Sequence, residues 1–181
     1  MNKAVIFLSL GTFLFLAGCA TMDQGQCLAA NWYDVGAKDG QNGRPQTGVS
    51  DYVSDCAEYG VTVDVQSYRD GWDIGIESYC TASNGYRVGT NGMHYANSCP
   101  PNLKDKFYVA YLLGDAVATA RSKVNRLGAE VEKLGDKASR NGLTDEERNR
   151  IRHDRKNKKR ELDSAQFELF TAEQRARENG F

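Results

Sequence analysis

Two stretches of this chain leave a helix little choice of neighbour. Tyr33-x2-Gly36-x3-Gly40 recurs as Tyr68-x2-Gly71-x3-Gly75, and Tyr111-x2-Gly114-x3-Ala118 is a looser third copy. A glycine inside a helix costs about 1 kcal/mol relative to alanine, so a spaced pair of them implies a compensating contact. Glycines four apart lie on one helical face and remove the Cβ atoms that would hold a neighbouring backbone away. The first reading is therefore close helix packing, with the tyrosines as core aromatics. The second is a small-residue groove for a ligand, walled by Trp32, Tyr33, Tyr68 and Trp72 with Asp39 and Asp73 beside it.

The periodicity around these copies predicts three short helices. Residues 27–40 place Leu28, Trp32, Val35 and Gly36 on one face, ending in the turn residues Asp39-Gly40-Gln41-Asn42-Gly43. A second helix is expected over residues 50–59, with Ser50 as N-cap and Gly60 beyond its end. Asp64 caps a third over residues 65–79, whose apolar face is Val65, Tyr68, Trp72, Ile76 and Tyr79. From Thr81 to Ser98 two Asn-Gly pairs appear, Asn84-Gly85 and Asn91-Gly92. Asn-Gly is a strong local hairpin signal, which predicts a short β-hairpin with strands near residues 86–90 and 93–96.

The N-terminus carries a different kind of information. Lys3 precedes an apolar run that closes on Leu16-Ala17-Gly18-Cys19, the pattern of a secretory leader ending in a lipobox. The run is shorter than the about 20 apolar residues needed to span a bilayer. Residues 1–18 are read as a lipoprotein signal peptide, Cys19 as the lipidated first residue of the mature chain, and residues 19–26 as a tether. Two or three acyl chains anchor a protein stably to a membrane. Ala20 and Thr21 follow with no Asp directly after the cysteine, which resembles bacterial lipoproteins sorted to the outer membrane, facing the periplasm.

Four further cysteines, Cys27, Cys56, Cys80 and Cys99, fall within residues 27–101. An even number in a small exported domain reads as two disulfides. Three pairings are possible, and the local one, Cys27 with Cys56 and Cys80 with Cys99, is preferred. No two of these cysteines have the spacing of zinc ligands, and no metal or cofactor is expected. Charge supports a boundary at Pro100-Pro101: residues 27–101 hold nine acids and four bases, whereas residues 102–181 hold eighteen bases and fourteen acids.

Beyond the prolines the apolar positions alternate steps of four and three through Leu113, Val117, Ala120, Val124, Leu127, Val131 and Leu134, the seam of a coiled coil. Thr144-Asp145-Glu146-Glu147 is a capping box opening a second helix with the seam Ile151, Arg155, Lys158, Leu162, Ala165, Leu169 and Ala172. Paired antiparallel, the registers agree. Residues 102–181 thus read as a helical hairpin with about 32 residues, or about 48 Å, per helix. Arg155 and Lys158 fit the seam poorly and should snorkel.

Eight bases crowd residues 148–160, with Asp154 the only acid among them. A solvated helix face is the ordinary explanation. The functional one is that Arg155, Lys156, Lys158, Lys159 and Arg160 meet an anionic surface such as cell-wall polymer, anionic lipid or an acidic envelope protein. Nucleic acid is not an expected partner. There is no Gly-x-Ser-x-Gly, Walker, Gly-x-Gly-x2-Gly or His-Glu-x2-His motif, and no catalytic residue is assigned. The strongest enzymatic case is glycan cleavage by carboxylates among Asp39, Asp70, Asp73 and Glu77 beside the tryptophans, although this spacing equally describes an exposed helix stripe.

Cys27-x4-Trp32-x3-Gly36-x2-Asp39-Gly40, Cys56-x2-Tyr59-Gly60, Tyr68-x2-Gly71, Tyr79-Cys80-Thr81 and Cys99-Pro100 together resemble an uncharacterised family of Gram-negative lipoproteins defined only as a domain of unknown function. The resemblance spans residues 27–113 and implies a small envelope domain without a known activity. The chain is accordingly expected to be mainly α: a disulfide-bonded helical domain with a short β-hairpin, then a long antiparallel helical hairpin. The expected role is that of a non-enzymatic interaction or structural module of the envelope, with glycan binding or cleavage as the alternative.

Overall fold

The computed structural model describes residues 21–181; the expected signal peptide and the expected lipidation site Cys19 lie outside them. The described residues form α1 (Gln24–Ala29), α2 (Trp32–Gln41), α3 (Val49–Ala57), α4 (Val65–Tyr79), α5 (Ala82–Thr90), α6 (Pro101–Ser139) and α7 (Asp145–Glu178). A single 3₁₀ turn, Gln46–Gly48, leads into α3.

The glycine faces find backbone. Gly36 of α2 meets the Tyr68 carbonyl and Gly71 of α4 meets the Tyr33 carbonyl, and a Cβ at either position would lie 1.9 Å from that oxygen. One turn on, a Cβ on Gly40 would be 2.5 Å from the Trp72 oxygen and one on Gly75 2.0 Å from the Ala37 oxygen. Residue numbers rise together along both helices, so α2 and α4 run in the same direction. The contact is reciprocal, each Tyr-x2-Gly offering its tyrosine carbonyl to the glycine of the other.

A second pair repeats this arrangement. Gly89 of α5 meets the Tyr111 carbonyl and Gly114 of α6 meets the Tyr86 carbonyl, with would-be Cβ distances of 2.2 and 2.3 Å. Tyr86-x2-Gly89 is thus a fourth copy of the signature, which the sequence reading assigned to a hairpin. No β-hairpin forms there: among the described residues there is no strand, and Ala82–Thr90 is helical. Thr81 caps this helix by accepting from the Asn84 backbone N–H at 3.2 Å, and the Asn84 side-chain amide donates to the Tyr79 carbonyl at 2.8 Å. Gly85 and Gly89 are buried against α6. Only the second Asn-Gly pair uses positive φ, and it ends a helix rather than turning a hairpin. Gly92, at φ +64°, donates to the Gly89 carbonyl while Met93 donates to the Val88 carbonyl, a Schellman termination.

Two other boundaries differ from expectation. The helix predicted over residues 27–40 breaks at Ala30 and Asn31, because the Asn31 side chain accepts from the Tyr33 and Asp34 N–H groups and starts α2 afresh. Leu28 is consequently left exposed. Ser50 is not an N-cap; it lies inside α3 and donates to the Thr47 carbonyl. Asp64, in contrast, caps α4 through the Ser67 N–H as expected.

Both disulfides follow the local pairing. Cys27–Cys56 ties α1 to α3, and Cys80–Cys99 ties the end of α4 to the segment before α6. The two glycine-faced pairs meet through aromatic rings, with Tyr79 of α4 stacked on Phe107 of α6 at 5.1 Å and Tyr95 against the same ring at 4.7 Å. Phe107 and Tyr68 are fully buried.

Pro101 occupies the first turn of α6, where its missing N–H removes no helical bond. The helix then runs 39 residues, about 58 Å, without interruption. It is longer than the seam alone predicts, because its first turns pack on α5 before the coiled-coil seam begins. Helix α7, 34 residues, returns antiparallel. Val117, Ala120, Leu127, Ile151 and Ala165 are buried between the two. Arg121–Glu173, Lys123–Glu168 and Lys158–Glu130 bridge them at 3.5, 2.7 and 3.4 Å. The capping box at Thr144 and Glu147 is complete, and Phe181 stacks on Tyr86 at 4.7 Å, closing the base of the hairpin against α5.

Candidate functional site

The six candidate groove residues separate in space according to burial. Trp32, Tyr68 and Trp72 lie in the core, whereas Tyr33 is exposed on the outer side of α2. The volume between α2 and α4 is filled by the backbones themselves at Gly36, Gly40, Gly71 and Gly75.

Asp39 sits in a knot of hydrogen bonds. One of its oxygens accepts from the Tyr68 hydroxyl at 2.8 Å and the Tyr52 hydroxyl at 3.0 Å, with the Arg44 guanidinium at 3.7 Å. Arg44 also donates to the Tyr52 hydroxyl at 2.6 Å, to the Gly48 carbonyl at 3.1 Å and to Asp51 at 2.8 Å. Its own carbonyl accepts the Trp72 indole N–H at 2.7 Å. Burial, followed by the charge and hydrogen bond of Asp39, pushes the Tyr52 phenol up to about 12. Burial and the hydrogen bond to Asp39 also raise the Tyr68 phenol well above its ordinary value. Both phenols therefore stay protonated as donors, and the knot locks α2, α3 and α4 together. Arg44 and Tyr52 were not singled out from sequence; the available signal was a base isolated among acids directly after the Asn42-Gly43 turn.

Asp73 belongs to a different place. It accepts from the Gln46 side-chain amide at 3.1 Å and, with Trp72, Pro45, Thr47 and Ser98, lines a shallow depression of about 460 Å³. Two local features mark this depression. Asn97, on its wall, has φ +55°, the one non-glycine residue in the left-handed region among the described residues. The Ser98 Oγ is buried without a hydrogen-bond partner, an arrangement that costs about 1–3 kcal/mol. Asp70 lies apart on the α4 surface, accepting from Gln66 at 2.8 Å.

The basic band runs along the distal half of α7. Lys158 is tied into the hairpin by Glu161 at 2.8 Å and Glu130 at 3.4 Å, and the hydrogen bond to Glu161 holds its ammonium above the ordinary lysine value. The Arg155 guanidinium lies across α6 within 3.5 Å of where a Cβ on Gly135 would be, so the missing side chain there accommodates an arginine at a seam position. Arg160 donates to Asn157 at 2.7 Å. Lys156 and Lys159 are exposed and form no ion pair among the described residues.

Residues 31–116 match DUF2799, described as a protein of unknown function. The match takes in all four Tyr-x2-Gly copies and both glycine-faced helix pairs, and it stops as α6 leaves α5 for α7. No curated protein and no solved structure matches the chain.

Proposed function

We propose that this protein is a non-enzymatic outer-membrane lipoprotein facing the periplasm, anchored by lipid on Cys19, whose helical hairpin is a contact arm for an anionic envelope surface. The observation that carries the reading is the arm itself: two helices of 39 and 34 residues, with exposed Lys156 and Lys159 on the distal half of the second. Two disulfides suit an oxidising compartment. Among the described residues no helix is long and apolar enough to cross a membrane, and in this reading the lipid on Cys19 is the anchor. Labelled palmitate should enter the wild-type chain and not Cys19→Ser. Salt-sensitive co-sedimentation with purified envelope fractions should fall when Lys156, Lys158, Lys159 and Arg160 become glutamate; unchanged sedimentation would refute the arm's role.

The depression at Trp72, Asp73, Asn97 and Ser98 favours a second reading, a glycan-binding module. Its acceptor and donor groups beside an indole and a proline suit a hydroxyl-rich ligand. Soluble wall fragments should then change tryptophan fluorescence in the wild type and not in Asp73→Asn. A silent titration would remove this reading.

A further inference from the structure

Near the base of the hairpin, α6 and α7 present apolar side chains with no neighbour above them. Val109 and Leu112 on α6 are 56% and 47% exposed, and Phe167 on α7 is 70% exposed. Ala116 continues the α6 stripe, three or four residues between members, on a face used neither by the glycine contact to α5 nor by the seam to α7. Between the two helices lies a groove of about 630 Å³ with Phe167 standing at its edge. Contiguous exposed apolar surface of this kind marks an interaction site.

We propose that the groove takes a second copy of this chain. The charges around it decide between occupants. The groove and the two depressions continuous with it are bordered by Asp105, Asp115 and Glu168 and by Lys106, Lys123 and Arg175, three of each sign. A two-fold dimer sets one patch against itself. A rim of single sign would repel its own copy, whereas a balanced rim lets acids face bases. Anionic lipid finds no excess positive charge here, in contrast to the distal band of α7. Shape points the same way, since a protruding phenylalanine beside an unfilled apolar groove is self-complementary: Phe167 of each copy enters the groove of the other against Leu112 and Ala116. The arrangement would join two arms at their bases and leave both basic bands free.

The test uses the full-length chain in cells that express it. Two differently tagged copies should co-isolate, and a photo-activatable amino acid at position 167 should yield an adduct of twice the chain's mass, joined to the α6 peptide that contains Leu112. Phe167→Glu and Leu112→Glu should each weaken co-isolation on the order of 100-fold, since a few central anchors and the pockets they fill carry most of the energy of such interfaces. Both positions are exposed, and unchanged helicity with both disulfides intact would show that the variants fold. Absence of an adduct, an adduct only to lipid or to a different protein, or co-isolation unaffected by Phe167→Glu would each overturn the proposal.

Discussion

Helix pairs α2–α4 and α6–α7 solve the same problem in opposite ways. The first runs in one direction, is short, and brings backbones together through glycine. The second is antiparallel, is long, and holds backbones apart with a seam of leucine, valine, isoleucine and alanine, flanked by ion pairs. Close backbone approach gives a contact that tolerates no added atom. A side-chain seam is forgiving enough to include Arg155 and Lys158. The difference teaches that the domain matched by the family of unknown function is held by close backbone packing, a buried aromatic core and disulfides, whereas the arm is held by apolar side-chain packing over a long register.

The largest expected effect exploits the covalent links, which only the first region has. Replacing Cys27 and Cys56 with serine should cost about 3–4 kcal/mol through the lost loop constraint, and Cys80 with Cys99 a similar amount, read as a fall in the denaturant midpoint. Should reduction leave the midpoint of the whole chain unchanged, the hairpin rather than the domain would dominate stability.

Glycine substitutions come next and should differ in sign between the regions. Gly36→Ala or Gly71→Ala forces a methyl to within 1.9 Å of a carbonyl oxygen and should destabilise by about 1–3 kcal/mol, or about 2–4 °C in Tm for each kcal/mol. Gly128→Ala, inside α6 with nothing within 4 Å of the new Cβ, should stabilise by about 0.5–1 kcal/mol. Equal effects at both sites would break the comparison.

Alkali should also act on the first region. The Tyr52 and Tyr68 phenols ionise in the folded chain only above their ordinary pKa of 10.0, Tyr52 at about 12. The folded state therefore binds these protons more tightly than the unfolded one. Their contribution is complete below the ordinary pKa and is lost as pH rises towards the folded value. Thermal midpoints measured from pH 9 upward should fall in the wild type and fall less steeply in Tyr52→Phe, Tyr68→Phe protein. The smallest effect on stability belongs to the arm: Lys156→Glu with Lys159→Glu should stay within about 0.5 kcal/mol, as exposed charges usually do, while reducing envelope co-sedimentation.

Much of this architecture is legible in the sequence. The Asp64 cap and the Thr144 and Glu147 box act through bonds spanning three residues, and the heptad spacing marks the faces of α6 and α7 on which Val117, Ala120, Leu127, Ile151 and Ala165 are buried. The disulfide pairing also followed chain proximity. The candidate depression was only half legible. Trp72 and Asp73 were chosen for their chemistry, but Gln46, Asn97 and Ser98 reach them from distant parts of the chain.

What the sequence determined alone is whatever a few neighbouring residues decide: helix starts, periodic faces, and the need for glycine to meet something close. What only tertiary structure decided is the state of residues 82–90 and the identity of each glycine's partner. Asn84-Gly85 is compatible with a turn or with a helix, since its local preferences are worth about as much either way. The balance tipped because a helix there seats Gly85 and Gly89 on the α6 backbone, a contact between residues more than twenty apart that no local pattern contains.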